Sequence, residues 1–405
     1  MTAQSDEPVA GGPPHEVGDG HELLAWLRRR REHTPVWADE ETGSFHVFRH
    51  ADAVRVLSEP DLFSSDFSAL APPPDPGSPD FSSGALSVTD PPFHGRLRGL
   101  ISQAFTPRTV AGLEGRIGEV TDQLLDSLDG RTEIDLVSDI AYPLPVTVIA
   151  ELLGIPSQDQ DLFRSWAELL LPDVQEVRVG RLGDGPQPAE RARRLNMMRD
   201  YLLSHVRDRR GKDRGDLISR LVAAEQDGER LTDDQAVNFS AFLLLAGHLT
   251  TTLLLGNALL CLQEEPGAMA RLREDRSLVP AAVEETLRHR PPVVFQYRLA
   301  KRDTEIGGVP VPAGRIVVSW VLSANRDAER FPDPDRFLLD RGSVPHLTFS
   351  HGIHYCLGAP LARMEAVTLF NRLLDRYGTI ECGEPVFQRR PDVFGVRSLP
   401  LHVKE

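Results

Sequence analysis

The chain has 405 residues, 40% of them hydrophobic and 26% charged, with a formal net charge of −15. That length exceeds what one small core needs and suggests two or three domains, or one large enzyme domain. The acidic balance argues against a nucleic-acid partner, which needs a basic stripe.

Met1–Gly20 is polar and acidic, rich in Gly and Pro, and has no apolar core. It reads as a disordered tail, and as neither a signal peptide nor a membrane anchor. A helix is expected from His21, then a strand around Ser44–Arg49 and another helix before Pro60. The basic run Arg28–Arg31 reads as a solvated helix face. Ala69–Ser83 carries five prolines and is a long loop of the kind that forms a lid or pocket wall. Helical patterns then dominate from Phe93 to Arg290, with breaks at Pro107, Pro143–Pro145, Pro156, Gly180–Pro188 and Gly211–Gly215.

The clearest helix runs from about Asp233 to Glu265. Thr232 and Gln235 have capping-box spacing, and Glu265-Pro266-Gly267 supplies a stop. At ~1.5 Å per residue it would be about 50 Å long, enough to cross a whole domain. Phe239–Leu262 is apolar enough to raise the transmembrane question. Its Ser240, His248, Thr250, Thr251, Thr252 and Asn257 point instead to a helix buried in protein. Strands are expected at Val293–Ala300, Glu305–Val311 and Arg315–Val321. With no internal repeat or linker visible, residues 21–405 read as one large domain, mainly α with small β-sheets (α+β). Cys261, Cys356 and Cys382 are too few and too scattered for a disulfide framework, which suits a reducing cytoplasm.

Cys356 stands apart from the other two cysteines. It lies in a glycine-punctuated loop, Phe349-Ser-His-Gly352-Ile-His354-Tyr-Cys356-Leu-Gly358, that runs straight into a helical pattern. A sulfur at a helix N-terminus meets free N–H groups and the positive end of the dipole, which favour a thiolate. A thiolate is the soft, electron-donating ligand that an axial position on iron requires. Gly352 and Gly358 would allow tight turns and close approach to a flat macrocycle. A buried structural cysteine is the bland alternative.

This segment resembles the signature of the cytochrome P450 family, Phe-x-x-Gly-x-x-x-Cys-x-Gly, at Phe349, Gly352, Cys356 and Gly358. Other landmarks follow over most of the chain. Glu285-Thr-Leu-Arg288 matches the family's Glu-x-x-Arg helix, and the resemblance implies that Glu285 and Arg288 join Arg336 in a structural brace behind the Cys loop. It implies haem b (iron protoporphyrin IX), with His94, Arg98, Arg298 and His354 as partners of the propionates. Ala246-Gly247-His248-Leu249-Thr250 resembles the oxygen-binding motif, so Ala246, Gly247 and Thr250 are the candidate catalytic positions, the small residues leaving room for dioxygen. Leu249 departs from the family, which usually has Asp or Glu there; the acid–alcohol proton relay is incomplete, and apolar surface is added near the iron.

The resemblance places the substrate pocket among the Ala69–Ser83 loop, the Leu169–Gly185 region, Phe242, Leu245, Leu249, Val293, Val294, Gln296 and Phe394. Gln296 is the polar group suited to orienting a substrate. The implied activity is a monooxygenase of a single P450 domain, monomeric and cytoplasmic. It would take electrons from a ferredoxin and an NAD(P)H-dependent ferredoxin reductase to hydroxylate or epoxidise a bulky, largely apolar secondary metabolite of the polyketide or macrolide type. The alternatives are a peroxide-using or otherwise atypical haem-thiolate oxidase, suggested by Leu249, and a non-catalytic haem sensor.

Overall fold

The computed structural model describes residues 11–70, 77, 79–81, 85–159, 161–162, 165–166, 179, 189–342 and 345–404. Most of the Ala69–Ser83 and Leu169–Gly185 segments therefore lies outside the described residues.

The long helix, Asp233–Glu264, is the axis of the molecule. Its N-terminus closes as the sequence predicts: Gln235 N–H donates to Thr232 Oγ1 (3.1 Å), and Thr232 N–H donates to Gln235 Oε1 (2.9 Å). It has no polar face, because neighbours surround it. Helices Pro143–Leu153, Ala189–Arg209, Val279–His289 and Ala359–Arg376 all pack against it. Two helices, Leu136–Leu153 and Asp233–Glu264, are long and apolar enough to cross a membrane, yet most of each is buried within the protein.

Pro143 and Pro145 do not interrupt the chain's helical course. Leu136–Ala141 forms a π-type turn that leads directly into Pro143–Leu153. Prolines in a first turn lack only N–H groups that have no partner there anyway. The stop comes at Gly154, which caps the helix in the left-handed region (φ 74°).

The main sheet has five strands in the order Val36–Ala38, Phe45–Val47, Ile316–Ser319, Gln296–Ala300, Phe63–Ser64. Ile316–Ser319 runs parallel to Phe45–Val47 and antiparallel to Gln296–Ala300, so that Val318 faces His46 on one side and Tyr297 on the other. The expected strand Glu305–Val311 is instead a hairpin of Thr304–Ile306 and Val309–Val311, turning at Gly307-Gly308. A second sheet joins Thr379–Cys382, Pro400–Lys404 and Glu133–Asp135.

Two expectations near the N-terminus need correction. The basic run is only half a solvated face: Arg28 and Arg29 are exposed, whereas Arg30 and Arg31 are buried. Arg30 donates to Gly11 O and lies 3.9 Å over the Trp37 ring, and Arg31 donates to Ser323 O and Oγ. Residues 11–20, read as tail, pack onto this region, with Val17 buried beside Trp26 and Phe394.

Candidate functional site

Between the long helix and the Cys356 loop lies an apolar cavity of about 480 Å³. Phe242, Ala246, Gly247 and Thr250 line it from the helix, Val293, Gln296 and Arg298 from the sheet side, and His354, Cys356 and Gly358 from the loop. A wider cleft of about 870 Å³, by Arg108, Arg209 and Arg220, is polar and open to solvent and holds none of these groups.

The loop is built around its sulfur. Cys356 N–H donates to Phe349 O (2.8 Å), and Ser350 and Gly352 take positive φ (65° and 68°) to make the turn. A side chain at Gly352 would meet Ser58 Cα at 3.0 Å and Leu57 O at 3.1 Å, so this glycine serves packing of the loop on the helix below it. Gly358 differs: its φ is ordinary, and a Cβ there would touch nothing nearer than Cys356 Sγ at 3.9 Å. The polypeptide itself does not require glycine at this point, and the open space there leaves room for a flat group against the sulfur.

Burial pushes the Cys356 thiol up. The backbone N–H groups of Gly358 and Ala359, with Arg98 and Arg363, pull the other way without prevailing. The low thiol pKa expected from the helix terminus is therefore not a property of the polypeptide alone. A metal cation against the sulfur would favour the thiolate.

The cationic side of the cavity is equally incomplete. Arg298 is buried, its Nη1 donates to Tyr297 O (2.7 Å), and its Nη2 is unpartnered. Desolvation draws its guanidinium down to about 10, and Asp90 only partly opposes this. His94, on helix Phe93–Ala104, is buried with Nε2 unpartnered, 4.4 Å ring to ring from His354. Burial first, then Arg298, lowers His354 to about 3, and its Nε2 meets Ser65 Oγ. Arg98 donates to Tyr355 O (2.8 Å). Buried donors of this kind without acceptors fit an anionic group bound among them.

Of the expected pocket residues, Phe242, Val293 and Gln296 line the cavity. Leu245, Leu249, Val294 and Phe394 are not among its lining residues. Val294 and Phe394 are fully buried in the sheet-side core with Trp26 and Trp320. Leu249 sits at the rim of the helical arc that faces the cavity, because successive residues turn by about 100°. It does not extend the pocket wall. Gln296 accepts a hydrogen bond from Ser350 Oγ (2.8 Å), which ties it to the Cys loop.

The reading of Gly247 changes too. A side chain there would press on Ile149 Cδ1 at 2.5 Å, so this glycine admits a neighbouring helix. Thr250 Oγ1 donates to Ala246 O (2.6 Å), one turn back along the cavity wall.

The brace behind the loop is real, with one partner reassigned. Arg288 donates from Nε and Nη2 to both Glu285 oxygens (2.8 Å each), and both side chains are buried. The second guanidinium on Glu285 belongs to Arg341 (2.9 and 3.0 Å), not to Arg336. Arg336 is exposed and contributes its carbonyl, which accepts from both arginines. Glu365 also escaped the sequence reading. It is 1% exposed, lines the cavity, and burial pushes its carboxyl up to about 8. Only its apolar surroundings mark it out, and those are tertiary.

A half-buried cysteine sulfur just ahead of a helix, open space against it, and the unpartnered Arg298 Nη2 and His94 Nε2 nearby suit a haem-thiolate site. A family model described as "Cytochrome P450" matches residues 189–403, and the chain belongs to this family as a P450 monooxygenase. Among its relatives is the cyclomarin C epoxidase CymV of Salinispora arenicola, 43% identical over 396 residues, which are 96% of this chain and 98% of that protein. The erythromycin C-12 hydroxylase of Saccharopolyspora erythraea is 44% identical over 393 residues, covering 95% of each. The solved structure of the cytochrome P450 TbtJ1 superposes with a TM-score of 0.86 at 43% identity, covering 97% of this chain and 100% of that one.

Proposed function

We propose that this P450 is a tailoring enzyme that hydroxylates or epoxidises a bulky, largely apolar secondary metabolite. The observation that carries the proposal is the apolar wall that Phe239, Phe242, Leu243 and Ala246 give the long-helix side of the cavity, away from the Cys356 loop. The epoxidase and hydroxylase names of the relatives support it. So does a post-tailoring hydroxylase of himastatin biosynthesis, 43% identical with a TM-score of 0.83 over 95% of this chain.

In this reading the cofactor is haem b, which supplies dioxygen activation when bound. Cys356 Sγ is its ligand, and Phe349 and Gly358 flank that sulfur. Arg98, Arg298, His94 and His354 hold the two propionates. Thr250, one turn from Ala246, would hold a proton-bearing water at the long-helix wall of the cavity. Phe242, Val293 and Gln296 orient the substrate, and the apolar wall excludes water. A ferredoxin and its NAD(P)H-dependent reductase supply single electrons in the cytoplasm, to an enzyme that acts as a monomer.

The test is a screen of polyketide, macrolide and cyclic-peptide metabolites for a Soret shift, followed by turnover with ferredoxin and reductase. A hit converted to a product heavier by one oxygen supports the proposal. Turnover with hydrogen peroxide alone, and none with ferredoxin, would favour the peroxide-using alternative that Leu249 suggests.

A further inference from the structure

We infer that Trp320 is a proton-coupled redox site, placed to yield one electron toward the haem cavity and one proton to a buried hydrogen-bond chain ending at Asp39. The inference rests on the haem-thiolate reading of that cavity.

The proton chain has a single consistent polarity. An indole N–H can only donate, so Trp320 Nε1 gives its hydrogen to His46 Nδ1 (3.0 Å). Neutral His46 then carries its own proton on Nε2, which donates to Ser44 Oγ (3.0 Å). Ser44 Oγ–H donates to Thr42 Oγ1 (2.6 Å), and Thr42 Oγ1–H donates to Asp39 Oδ2 (2.6 Å). Trp320, His46, Ser44 and Asp39 are buried, and Thr42 is half-buried. Desolvation holds His46 down at about 3, so the imidazole is neutral and free to accept. Gaining a proton on Nδ1 while losing one from Nε2 spares it the imidazolium state that burial disfavours.

The same indole lies on a run of rings that reaches the cavity. Phe295 is 5.0 Å from Trp320, Tyr297 is 5.1 Å from Phe295, and Tyr297 lines the cavity. On the other side Trp26 is 5.3 Å from Trp320, and half-buried Trp37 is 6.1 Å from Trp26. Three of the chain's four tryptophans thus share one cluster, and they differ in electrostatics. The Arg30 guanidinium lies 3.9 Å over Trp37 and 5.5 Å from Trp26, and a cation over an indole makes it harder to oxidise. Trp320 has a base on its nitrogen, so an electron vacancy settles there.

The step balances as follows. A one-electron oxidant, formed in the cavity when an organic peracid meets the substrate-free holoenzyme, takes one electron from Trp320 through Phe295 and Tyr297. The indole N–H bond breaks, and one proton moves at each link until Thr42 protonates the Asp39 carboxylate. The products are a neutral indolyl radical and a neutral Asp39. A one-electron reductant such as ascorbate or a thiol then restores the indole, and the proton returns along the same chain. The effect is to drain oxidising equivalents that find no substrate.

The experiment is freeze-quench electron paramagnetic resonance of the substrate-free holoenzyme mixed with peracid, using ring-deuterated tryptophan to identify the radical. The reduced carbon monoxide spectrum is recorded first. Expected is a neutral tryptophanyl signal that disappears in Trp320→Phe, where haem bleaching becomes faster. Ser44→Ala leaves every ring in place and cuts the chain; the neutral signal should be lost there too, along with the slowing of its formation in heavy water. An undiminished tryptophanyl signal in Trp320→Phe would overturn the inference. So would an unchanged signal and isotope effect in Ser44→Ala, or the absence of any tryptophanyl signal from an enzyme with a normal thiolate-type spectrum. Lack of that spectrum would overturn the reading of the cavity itself, and the inference with it.

Discussion

Arg341 and Arg336 stand five residues apart in the segment behind the Cys loop, and the structure assigns them unequal roles. The Arg341 side chain is 6% exposed and contacts both oxygens of Glu285, a carboxylate only 4% exposed. It also donates to Asp333 O and Arg336 O. Glu285 accepts from Arg288 and from Leu338 N–H as well. Removing one partner of a buried ion pair costs about 3–5 kcal/mol, because the charge left behind is uncompensated. Arg341→Ala leaves Glu285 one of its two guanidinium groups, which puts the expected loss near the lower end, about 3 kcal/mol. Arg336→Ala removes an exposed side chain and keeps the carbonyl that both arginines use, so it should stay within about 0.5 kcal/mol. Urea unfolding of the two purified holoproteins, with haem release followed in parallel, measures the contrast. Equal losses in the two variants would refute this account of the brace.

Four other outcomes follow from the same geometry. Cys356→Ser should abolish the thiolate-type band of the reduced carbon monoxide complex; a retained band would mean another ligand. Arg298→Gln removes a buried cation whose Nη2 awaits an anion, and should weaken haem retention on the order of tenfold to a hundredfold, measured by haem transfer to apomyoglobin. Leu249→Glu restores an acid beside Thr250 and should raise product formed per nicotinamide consumed; unchanged coupling would show that protons arrive by another route. Glu365 is held protonated by burial, its carboxyl raised from 4.5 to about 8. The stability this gives is fully present below about pH 4.5 and is lost, on the order of 5 kcal/mol, as pH rises through about 8. Glu365→Gln should therefore flatten the fall in melting temperature between about pH 6 and about pH 8, and an unaltered slope would show that the carboxyl is already ionised.

What the sequence made legible is what short spacing determines. The capping box needs only residues 232 and 235 to face each other across one turn, and the cysteine loop needs only its own glycines and the helix that follows. Both are local: the box is found as read, and the loop turns at Ser350 and Gly352 ahead of its helix, but without the lowered thiol pKa expected of it. Glu285 and Arg288 share a helix face at i and i+3, so that pair was legible too. The third member was not, because which of two nearby arginines turns inward depends on how the segment from Phe331 to Arg341 folds back over the helix. Arg30 and Arg31 were misread for a related reason: a run of four basic residues has a solvated side only if the helix has a free side. Here that free side holds only Arg28 and Arg29, while Gly11, Trp37 and Ser323 cover Arg30 and Arg31.

The long helix shows the same limit at the point that matters most for chemistry. Its residues were assigned to the cavity by apolar character, and an apolar residue there can face the cavity, another helix or the rim. Leu245 and Leu249 are as apolar as Phe242 but fall just outside the arc that holds Phe242, Ala246 and Thr250, by about 60° and about 20° from Phe242 at about 100° per residue, and neither lines the cavity. Gly247 does face the cavity, yet its missing side chain makes room for Ile149, itself a lining residue. Enlarging position 247 would therefore act first on the packing of helix Pro143–Leu153 and only through it on the cavity wall. Leu249 acts from the rim, where an acid would meet the cavity's edge and not its centre. On the proposed reading, its replacement of the usual carboxylate would bear on proton supply, while Phe242, Val293 and the ring of Tyr297 line the cavity where a substrate would sit.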